Sequence, residues 1–464
     1  MHKYDLIVIG AGPAGEKAAV KAAYFGHRVA IIEKEQTFGG AERADALPSK
    51  TLKESALYFS GKHDKGLYGI DRDLERTASF TDFMFRKNHV AKIVAKEIRD
   101  NLIRHKVDIY KGVASFENAH TIKIEGKEEV FISGDHIIIA TGSYPYHPPD
   151  ILFDETLIHD SDSILLIQHF PKSLCIVGAG VIGCEYATIF STMGTKVHLI
   201  NNQKHILPFV DNEVSNELVE QITKSGVQIH FETSIETIKK SKNKLEILLC
   251  NGTLFEVEMF LFAAGRNGNI EHLHVEKIGL KTGPREIILV DKTYQTNIPH
   301  IYAIGDVIGF PSLVSTSMDQ GRVAVSHMFQ IQDLETLPHF FPYGIYTIPE
   351  VSMVGMSEQE AQKNKISYCI GKARYVDMPR GEIMGSKSGF LKLLFTREDL
   401  IITGVHIIGT LATEIIHFGL MLIEEKKTIY YIISTVFNFP TLHDLYKYAA
   451  YDGLSNLAGH KIKS

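Results

Sequence analysis

One stretch near the start decides the fold of the first part of the chain: Asp5-Leu6-Ile7-Val8-Ile9-Gly10-Ala11-Gly12-Pro13-Ala14-Gly15. An apolar run of strand length leads into a glycine-rich turn, an alanine-rich helix follows, and a second apolar strand ends at Glu33. Gly10 allows the tight turn, Gly12 lets the backbone approach a pyrophosphate at the helix N-terminus, and Gly15 lets helix and strand pack closely. The pattern predicts a dinucleotide-binding βαβ unit in which Glu33 accepts hydrogen bonds from ribose hydroxyls.

The same pattern occurs a second time, in Ser173-Leu174-Cys175-Ile176-Val177-Gly178-Ala179-Gly180-Val181-Ile182-Gly183. The strand that follows its helix, Lys196-Val197-His198-Leu199-Ile200-Asn201, ends on an amide where the first unit ends on Glu33. Two such units in one chain predict two dinucleotides that meet.

The composition favours a soluble globular protein and limits its partners. The chain has 464 residues, enough for about three domains, with 44% hydrophobic and 22% charged residues. A net charge of -6 without a basic tail argues against nucleic acid as a partner. No apolar run reaches the roughly 20 residues of a membrane helix, and a strand begins at Asp5, so we expect no leader, no membrane span and a cytoplasmic location.

The four cysteines, Cys175, Cys184, Cys250 and Cys369, show no metal-binding spacing. We expect each to pack as a small apolar side chain. The sequence therefore predicts neither a metal site nor a structural disulfide.

Further patterns divide the chain into domains. Helical spacing predicts one long amphipathic helix near residues 80–106, and a strand meander is expected from Val107 to Ile138.

Apolar strands that end in small residues lead to Ala140-Thr141-Gly142-Ser143 and, after the second unit, to Ala263-Ala264-Gly265-Arg266. We expect an α/β protein with a discontinuous first domain (residues 1–150 and 266–336), a second domain (151–265) and a C-terminal domain (337–464).

These motifs, together with Gly305-Asp306, resemble in content and order those of the pyridine nucleotide-disulphide oxidoreductases. Longer stretches resemble the soluble pyridine nucleotide transhydrogenases of that family, among them Gly183-Cys184-Glu185-Tyr186-Ala187, Gly344-Ile345-Tyr346-Thr347-Ile348-Pro349-Glu350 and Phe437-Asn438-Phe439-Pro440-Thr441-Leu442. The resemblance covers essentially the whole chain. It implies two Rossmann-like domains, one for FAD and one for NAD(H) or NADP(H), and a C-terminal α+β domain that forms a homodimer or a higher homo-oligomer.

The resemblance also implies the site residues. Lys50 and Glu185 match the catalytic pair beside the flavin N5, where an ammonium stabilises negative charge on the reduced ring and a carboxylate holds that ammonium in place. Asp306 would bind the ribityl chain. The cofactor-binding set implied for the two dinucleotides is Gly10, Gly12, Pro13, Ala14, Gly15, Glu33, Lys34, Gly40, Lys50, Val113, Thr141, Gly142, Ser143, Gly305, Asp306, Gly178, Gly180, Val181, Ile182, Glu185, Asn201, Gly265 and Arg266.

The chain departs from the family's disulfide reductases at both ends of their thiol machinery. Those enzymes carry two cysteines between the Gly-Gly turn and Pro-Ser-Lys, whereas Ala41 to Leu47 contains none and is one residue shorter. Glu42, Arg43 and Asp45 are expected near the flavin instead, and the shorter loop could shift Lys50. The histidine that precedes a proline near the C-terminus is replaced in Phe439-Pro440, and we interpret His443 as an ordinary histidine at a helix start. Without a thiolate, a dithiol relay is not expected.

Asn201 favours a site that accepts both nicotinamide dinucleotides. A carboxylate there would repel the 2'-phosphate of NADP by roughly 4 kcal/mol at about 4 Å. A neutral amide avoids this repulsion and still hydrogen-bonds a hydroxyl, while Lys204 and His205 could attract the phosphate.

The sequence therefore predicts FAD-dependent hydride transfer from NADPH to NAD by a ping-pong mechanism. One alternative is an NAD(P)H diaphorase or quinone reductase. The other is a dihydrolipoamide dehydrogenase-like flavoprotein that has lost activity and serves as a binding module.

Overall fold

The structure is a computed structural model that describes residues 2–35, 38–40, 46–61, 67, 79–333 and 336–459. Its first ten helices and strands are β1 (His2–Ile9), α1 (Pro13–Tyr24), β2 (Val29–Glu33), α2 (Ala46–Ser60), α3 (Phe80–Arg104), β3 (Asp108–Lys111), β4 (Val113–Asn118), β5 (Thr121–Glu125), β6 (Glu129–Ile139) and β7 (Ser143–Pro145). The next set is β8 (Ile158–Asp160), β9 (Ser173–Val177), α4 (Val181–Thr192), β10 (Lys196–Ile200), α5 (Asn212–Lys224), β11 (Gln228–His230), β12 (Ile235–Ser241), β13 (Lys244–Leu249), β14 (Leu254–Val257) and β15 (Met259–Phe262).

The chain continues with β16 (Arg266–Gly268), β17 (Ile301–Ala303) and α6 (Val314–Phe329), and then enters the C-terminal domain. The elements of that domain are β18 (Tyr343–Ile345), β19 (Val351–Gly355), α7 (Glu358–Lys363), β20 (Tyr368–Arg374), α8 (Pro379–Met384), β21 (Phe390–Thr396), β22 (Ile402–Ile408), α9 (Ala412–Glu424), α10 (Ile429–Ser434) and α11 (Asp444–Leu457). Short 3-10 helices lie at Phe38–Gly40, Ser163–Leu166, Val275–Ile278, Pro284–Glu286, Gly305–Ile308 and Tyr375–Asp377.

The first domain is built on a parallel sheet in the order β3-β2-β1-β6-β17. Its central strands are buried on both faces, which explains why they consist of unbroken apolar runs: Ile7, Val8 and Ile31 are fully buried. β17 returns to this sheet after the second domain. The first sheet therefore contains strands from both sides of the second domain in sequence.

The long helix predicted near residues 80–106 is confirmed as α3, and Ser79 caps it by accepting a hydrogen bond from the Asp82 backbone N–H. The meander predicted from Val107 is wrong in its first strand. β3 pairs in parallel with β2 at the sheet edge, and only β4, β5 and the first half of β6 form an antiparallel meander. Alternating polarity indicates a strand but does not reveal its direction, because both orientations share the two-residue period.

The second domain repeats the first. Its parallel sheet has the order β11-β10-β9-β15-β8, and an antiparallel sheet of β12, β13 and β14 lies beside it. Cys175 and Cys184 are fully buried, as expected. Cys250 follows β13 in an exposed turn, so the expectation of a packed side chain is wrong there.

The two chain crossings between these domains pair with each other. β7 and β16 form an antiparallel ribbon in which Ser143 faces Gly268 and Pro145 faces Arg266. Helix α6 begins at Val314 and packs against α1 through Gly321. A β-carbon at Gly321 would lie 2.7 Å from the Ala14 carbonyl oxygen, so only glycine allows this helix contact.

The C-terminal domain is an antiparallel sheet in the order β18-β19-β22-β21-β20. Its core contains the fully buried side chains of Tyr375, Phe395 and Tyr446. The apolar segment from Ile415 to Ile423 forms part of helix α9. In the described part of the chain, no helix combines the length and the apolar character needed to cross a membrane.

A buried ionic cluster joins the C-terminal domain to the second domain. Lys392 on β21 is 0% exposed, and its Nζ lies 3.0 and 3.1 Å from the two carboxylate oxygens of Asp211 and 2.6 Å from Glu358. Asp211 caps α5 by accepting a hydrogen bond from the Glu213 N–H. Burial disfavours the charged form of Lys392, but the neighbouring carboxylates outweigh burial and raise its pKa.

Replacement of Lys392 by Met tests this junction. The variant leaves the Asp211 carboxylate buried without its ammonium partner, so we expect the free energy of unfolding to fall by about 3–5 kcal/mol. Urea unfolding followed by circular dichroism measures this loss. Lys244→Met is the control, since Lys244 pairs with Glu256 at a site where the two side chains are 64% and 58% exposed, and it should change stability by less than about 1 kcal/mol. Equal losses in the two variants would contradict a special role for the buried cluster.

Candidate functional site

A cleft of about 2620 Å³ lies where the three domains meet. The first domain lines it with the β1–α1 turn, the end of β2, α2 and α3. The second domain contributes the start of α4, and the C-terminal domain contributes the strand β18 and part of α9. A cleft of this size, built from the carboxyl ends of parallel strands, is where an α/β protein binds an extended ligand.

The glycines of the first turn divide between packing and ligand approach. Gly10 has φ +103°, and a β-carbon there would overlap the Ala140 carbonyl oxygen; one at Gly15 would overlap the carbonyl oxygen of Gly10. Gly12 differs, because a β-carbon there would have no heavy atom within 4 Å. Gly12 lines the cleft. It therefore leaves open the space into which a pyrophosphate would fit.

The second turn has the same division of roles. Gly178 also has φ +103°, and its β-carbon would lie 2.8 Å from the Ala263 carbonyl oxygen, while one at Gly183 would overlap the Gly178 carbonyl oxygen. Gly180 faces open space like Gly12. This repetition supports two separate dinucleotide-binding turns in the chain.

Glu33 lies at the end of β2, directly beside the first turn. Its side chain is 6% exposed and lines the cleft. One carboxylate oxygen accepts the Ala11 N–H at 3.1 Å and the other accepts the Glu35 N–H at 2.9 Å. These two backbone bonds fix the orientation of the carboxylate beside the space that a ribose would fill. Lys34, Val113, Pro13 and Ala14 line the same cleft.

Lys50 and Glu185 form an ion pair across the boundary between the first and second domains. Lys50 lies in the second turn of α2, and its Nζ is 3.0 Å from Glu185 Oε1 and 2.9 Å from Oε2. Glu185 on α4 is 2% exposed, whereas the Lys50 side chain keeps 27% exposure. The carboxylate is thus enclosed and the ammonium faces the cleft. The structure brings these two predicted residues together, 135 positions apart in sequence.

Two further residues complete the surroundings of Glu185. The Ser49 hydroxyl donates to Oε2 at 3.0 Å, and the Tyr346 backbone N–H donates to Oε1 at 2.9 Å. The Tyr346 ring lies 5.1 Å from the Lys50 ammonium, within cation–π range. Sequence reasoning did not assign either residue to the site. Tyr346 lies in the stretch Gly344–Glu350, whose resemblance to relatives was the available signal.

A second polar network lies around Asp306, at the start of a 3-10 helix after β17. The Ser143 hydroxyl donates to Asp306 at 3.2 Å. Burial raises the pKa of the Asp306 carboxyl, and the Arg266 guanidinium and the Ser143 hydroxyl oppose this rise. Next to it, the Gly305 N–H donates to the Gln320 side-chain oxygen at 2.7 Å, which fixes the turn that presents Asp306 to the cleft.

Arg266 ties this network to the second domain. Its guanidinium donates to the Ser143 hydroxyl at 2.8 Å, to the Ser161 hydroxyl at 2.9 Å and to the Asp162 carboxylate at 3.1 Å. These bonds connect β7 and β16 with the turn after β8. In the structure Arg266 therefore bridges the domains, in addition to lining the cleft.

Comparison with known proteins gives the family. A model of the pyridine nucleotide-disulphide oxidoreductases matches residues 4–321, and a model of the dimerisation domain of the same family matches residues 341–450. The chain belongs to the pyridine nucleotide-disulphide oxidoreductases.

Individual members of this family cover nearly the entire chain. The soluble pyridine nucleotide transhydrogenase of Mycobacterium tuberculosis is 40% identical over 461 residues, 98% of each chain. The protein of that name from Azotobacter vinelandii is 39% identical over 467 residues, 98% of this chain and 99% of its own. Among solved structures, the HOCl-induced flavoprotein disulfide reductase RclA from Escherichia coli superimposes with a TM-score of 0.86 at 26% identity, covering 96% of this chain and 99% of that one. LpdA from Mycobacterium tuberculosis, at 22% identity and a TM-score of 0.89, shares the fold.

The residues of the first-domain part of the cleft fit FAD, the flavin dinucleotide of this family. The hydroxyl of Thr141 is buried and has no hydrogen-bond partner within the described residues, and Thr141 lines the cleft. A β-carbon on the neighbouring Gly142 would also meet nothing within 4 Å. An orphan hydroxyl and two open glycine faces, at Gly12 and Gly142, are what a closely bound dinucleotide requires.

The predicted residues of the second dinucleotide site fall into two groups. Val181, Ile182 and Glu185 line the cleft, but Gly178, Gly180, Asn201 and Gly265 are not part of its wall. Gly265 has φ +120° and packs against the Arg285 guanidinium. The start of α4 is thus the part of the second domain that faces the first-domain site.

Asn201 has a structural role that the sequence did not reveal. Its side chain is 6% exposed, and its amide nitrogen donates to the Gln203 carbonyl at 3.0 Å and to the His205 carbonyl at 2.9 Å. The amide therefore shapes the loop after β10, which places Lys204 at an exposed position and His205 at a partly exposed one.

The loop that replaces the family's redox-active cysteines falls mainly outside the described residues. Residues 41–45 are not described, so the expected positions of Glu42, Arg43 and Asp45 are not tested; Leu47 lies in α2 and lines the cleft, and Gly40 ends a 3-10 helix. At the other end, His443 immediately precedes α11, which agrees with its interpretation as a histidine at a helix start.

Replacement of Gly10 by Ala tests the first turn. The new methyl group would overlap the Ala140 carbonyl oxygen at a φ that favours glycine, so we expect the purified protein to retain less than about a tenth of its FAD. The ratio of visible flavin absorbance to protein after desalting measures this. Gly26→Ala is the matched control, because Gly26 also has a left-handed φ (+88°) but no heavy atom near its added methyl group. Normal flavin content in Gly10→Ala would show that the turn tolerates a side chain.

Proposed function

We propose that this protein transfers hydride from NADPH to NAD⁺ through bound FAD, by a ping-pong mechanism and without a redox-active disulfide. The observation that carries this proposal is the Lys50–Glu185 pair. It lies in the cleft between the first dinucleotide-binding fold and helix α4 of the second. The relatives named soluble pyridine nucleotide transhydrogenase, similar over 98% of the chain, support the same activity.

FAD would accept a hydride from one nicotinamide and pass it to another at the same site. Gly12, Glu33, Thr141, Gly142 and Asp306 would hold the FAD, as would the other first-domain residues of the predicted set. Lys50 would present its ammonium to the reacting ring and stabilise the negative charge of its reduced form. Glu185, enclosed by Lys50, Ser49 and the Tyr346 N–H, would keep that ammonium oriented.

The cysteines support a mechanism without thiol chemistry. The whole sequence contains four, and none lies between Gly39 and Lys50. Cys184, next to Glu185, is fully buried, and burial raises its pKa well above the usual range. A buried thiol with a raised pKa is a poor nucleophile. Electrons would therefore leave the flavin without a thiol relay, as in hydride transfer to a second nicotinamide.

The loop after β10 supports the use of both NAD and NADP. Asn201 places a neutral amide where a carboxylate would repel a 2'-phosphate. The Asn201 amide donates to two loop carbonyls and so shapes the loop that carries Lys204 and His205. The side chains of these two residues are at least partly exposed and would attract the phosphate.

The remaining expectations form part of the proposal. The FAD-binding domain would comprise residues 1–150 and 266–336, the NAD(P)-binding domain residues 151–265 and the dimerisation domain residues 337–464. The β7–β16 ribbon, which lies close to both crossings between the first two domains, supports these boundaries. The protein would act in the cytoplasm as a homodimer or a higher homo-oligomer.

Anaerobic mixing of the purified protein with NADPH and a spectrally distinct NAD analogue tests the activity. We expect rapid reduction of the analogue, with parallel lines in double-reciprocal plots because the two nucleotides use one site in turn. Flavin bleaching without reduction of the analogue would contradict transhydrogenation and favour a diaphorase. No bleaching at all would favour a binding protein without redox activity.

Replacement of Lys204 by Ala tests the nucleotide preference. We expect the KM for NADPH to rise by about tenfold, equivalent to about 1.4 kcal/mol, with little change for NADH, because only NADPH carries the 2'-phosphate. Steady-state reduction of an artificial acceptor by each nucleotide gives both constants. Lys224→Ala at the end of α5 removes an exposed lysine paired with Glu220 and should change neither. A similar rise for both nucleotides would assign Lys204 a role other than phosphate binding.

A further inference from the structure

Helix α2 carries a second ammonium one turn after the catalytic lysine. Lys53 is 5% exposed, and its Nζ lies 2.5 Å from Glu350 Oε1 at a contact where both side chains are nearly enclosed. Its other partner is Glu54, whose side chain is 69% exposed. Neither Lys53 nor Glu350 lines the cleft. This buried ion pair therefore does not touch the reacting groups.

Glu350 belongs firmly to the C-terminal domain. Its second carboxylate oxygen accepts the Thr413 hydroxyl at 2.8 Å and the Thr413 N–H at 3.1 Å, both at the start of α9. Its backbone carbonyl accepts the Gly409 N–H at 2.9 Å. Burial disfavours the charged form of Lys53, but Glu350 outweighs burial and raises the lysine pKa. The position of Lys53 is thus set by the sheet and helix of the C-terminal domain.

The contacts around this pair form a closed ring. Lys50 on α2 binds Glu185 on α4, and Glu185 accepts the N–H of Tyr346. Tyr346 and Glu350 belong to one short segment between β18 and β19, and Glu350 returns to α2 through Lys53. The helix is therefore held at two points one turn apart, each by a different domain.

Two such points fix both the height of α2 and its rotation about its own axis. Helix α2 also packs into the core through Leu52 and Ala56, which are 4% and 0% exposed. Apolar packing of this kind has no strict direction, so the second ion pair adds a directional contact that sets where the Lys50 side chain points. Buried ion pairs contribute little net stability compared with apolar side chains of similar volume. They have strict geometric requirements, however, since the ammonium must meet the carboxylate oxygen.

We propose that Lys53 and Glu350 are positioning residues that hold the Lys50 ammonium at the flavin end of the cleft. This inference rests on the proposed hydride transfer for its kinetic consequence, and on the ring of contacts for its structural basis. Lys53 acts through Lys50, and Glu350 acts through Lys53.

Lys53→Met and Glu350→Gln test the pair in the FAD-loaded protein. Anaerobic stopped-flow reduction of the flavin by a series of NADPH concentrations separates the limiting rate constant from the dissociation constant of NADPH. We expect the limiting rate to fall by about tenfold or more, with less than about a threefold change in NADPH affinity, because the nucleotide contacts are unchanged. We also expect a more negative flavin reduction potential in an equilibrium titration with a reference dye, because a misplaced ammonium stabilises the reduced ring less.

Three further variants separate positioning from stability. Lys53→Arg keeps a cation that can meet Glu350, and should restore both the rate and the potential toward wild type. Glu54→Gln removes only the exposed partner of Lys53 and should behave as wild type. The double variant Lys53→Met/Glu350→Leu leaves no buried charge unpaired, so it should fold and bind FAD while it keeps the slow flavin reduction and the shifted potential.

The proposal is overturned if Lys53→Met or the double variant, with FAD bound, shows the wild-type limiting rate and potential. Failure of the proposed function is a separate result. It would appear as absence of hydride delivery to NAD by the wild-type protein, whereas the flavin potential and its reduction by NADPH do not require NAD and still report on the Lys53–Glu350 pair.

Discussion

The enclosed carboxylate of Glu185 is the constraint on which the site depends. An ionised carboxylate is costly to bury unless hydrogen bonds and an opposite charge compensate it. Here the compensation comes from Lys50 and Ser49 of the first domain and from the Tyr346 N–H of the C-terminal segment, while Glu185 itself belongs to the second domain. This one group therefore draws its partners from all three domains, and the cleft lies where they meet.

The two glycine turns act at a different level, because they set what each domain can bind. In both turns, two glycines remove side chains that would overlap a backbone carbonyl, and the middle one leaves space open to a ligand. The first and third glycines of each turn allow the backbone to fold, and the middle glycine leaves room for a ligand. The repetition of this division explains why the chain presents two dinucleotide sites that are alike locally. The two turns face the large cleft differently, since Gly10 and Gly12 of the first turn line it, whereas the second turn lines it through Val181 and Ile182.

Much of the fold was predictable because its signals are local. The βαβ units, the long helix α3 and the return of the chain to the first sheet at β17 all follow from apolar runs, glycines and helical spacing within short windows. The direction of β3 was not predictable, since a strand's alternation does not depend on its neighbour. Of the candidate site, Lys50 and Glu185 were assigned by resemblance, and the structure places them in contact. Tyr346 contributes only a backbone N–H to Glu185, and any residue type supplies that group, so the side-chain pattern carried no signal for it.

The buried lysines were missed for a related physical reason. Lys53 sits on a helix among residues that look solvated, and Lys392 interrupts an otherwise apolar strand. In each case one enclosed partner carboxylate, Glu350 for Lys53 and Asp211 for Lys392, is distant in sequence and belongs to a different domain. Both lysines lie at domain boundaries. An ion pair there fixes the relative position of two domains more strictly than an apolar contact does. Apolar surfaces tolerate a shift with little change in free energy, because burial depends on area and has no direction. An ammonium that loses its carboxylate oxygen leaves two charges uncompensated, so each pair fixes the register between the domains it joins.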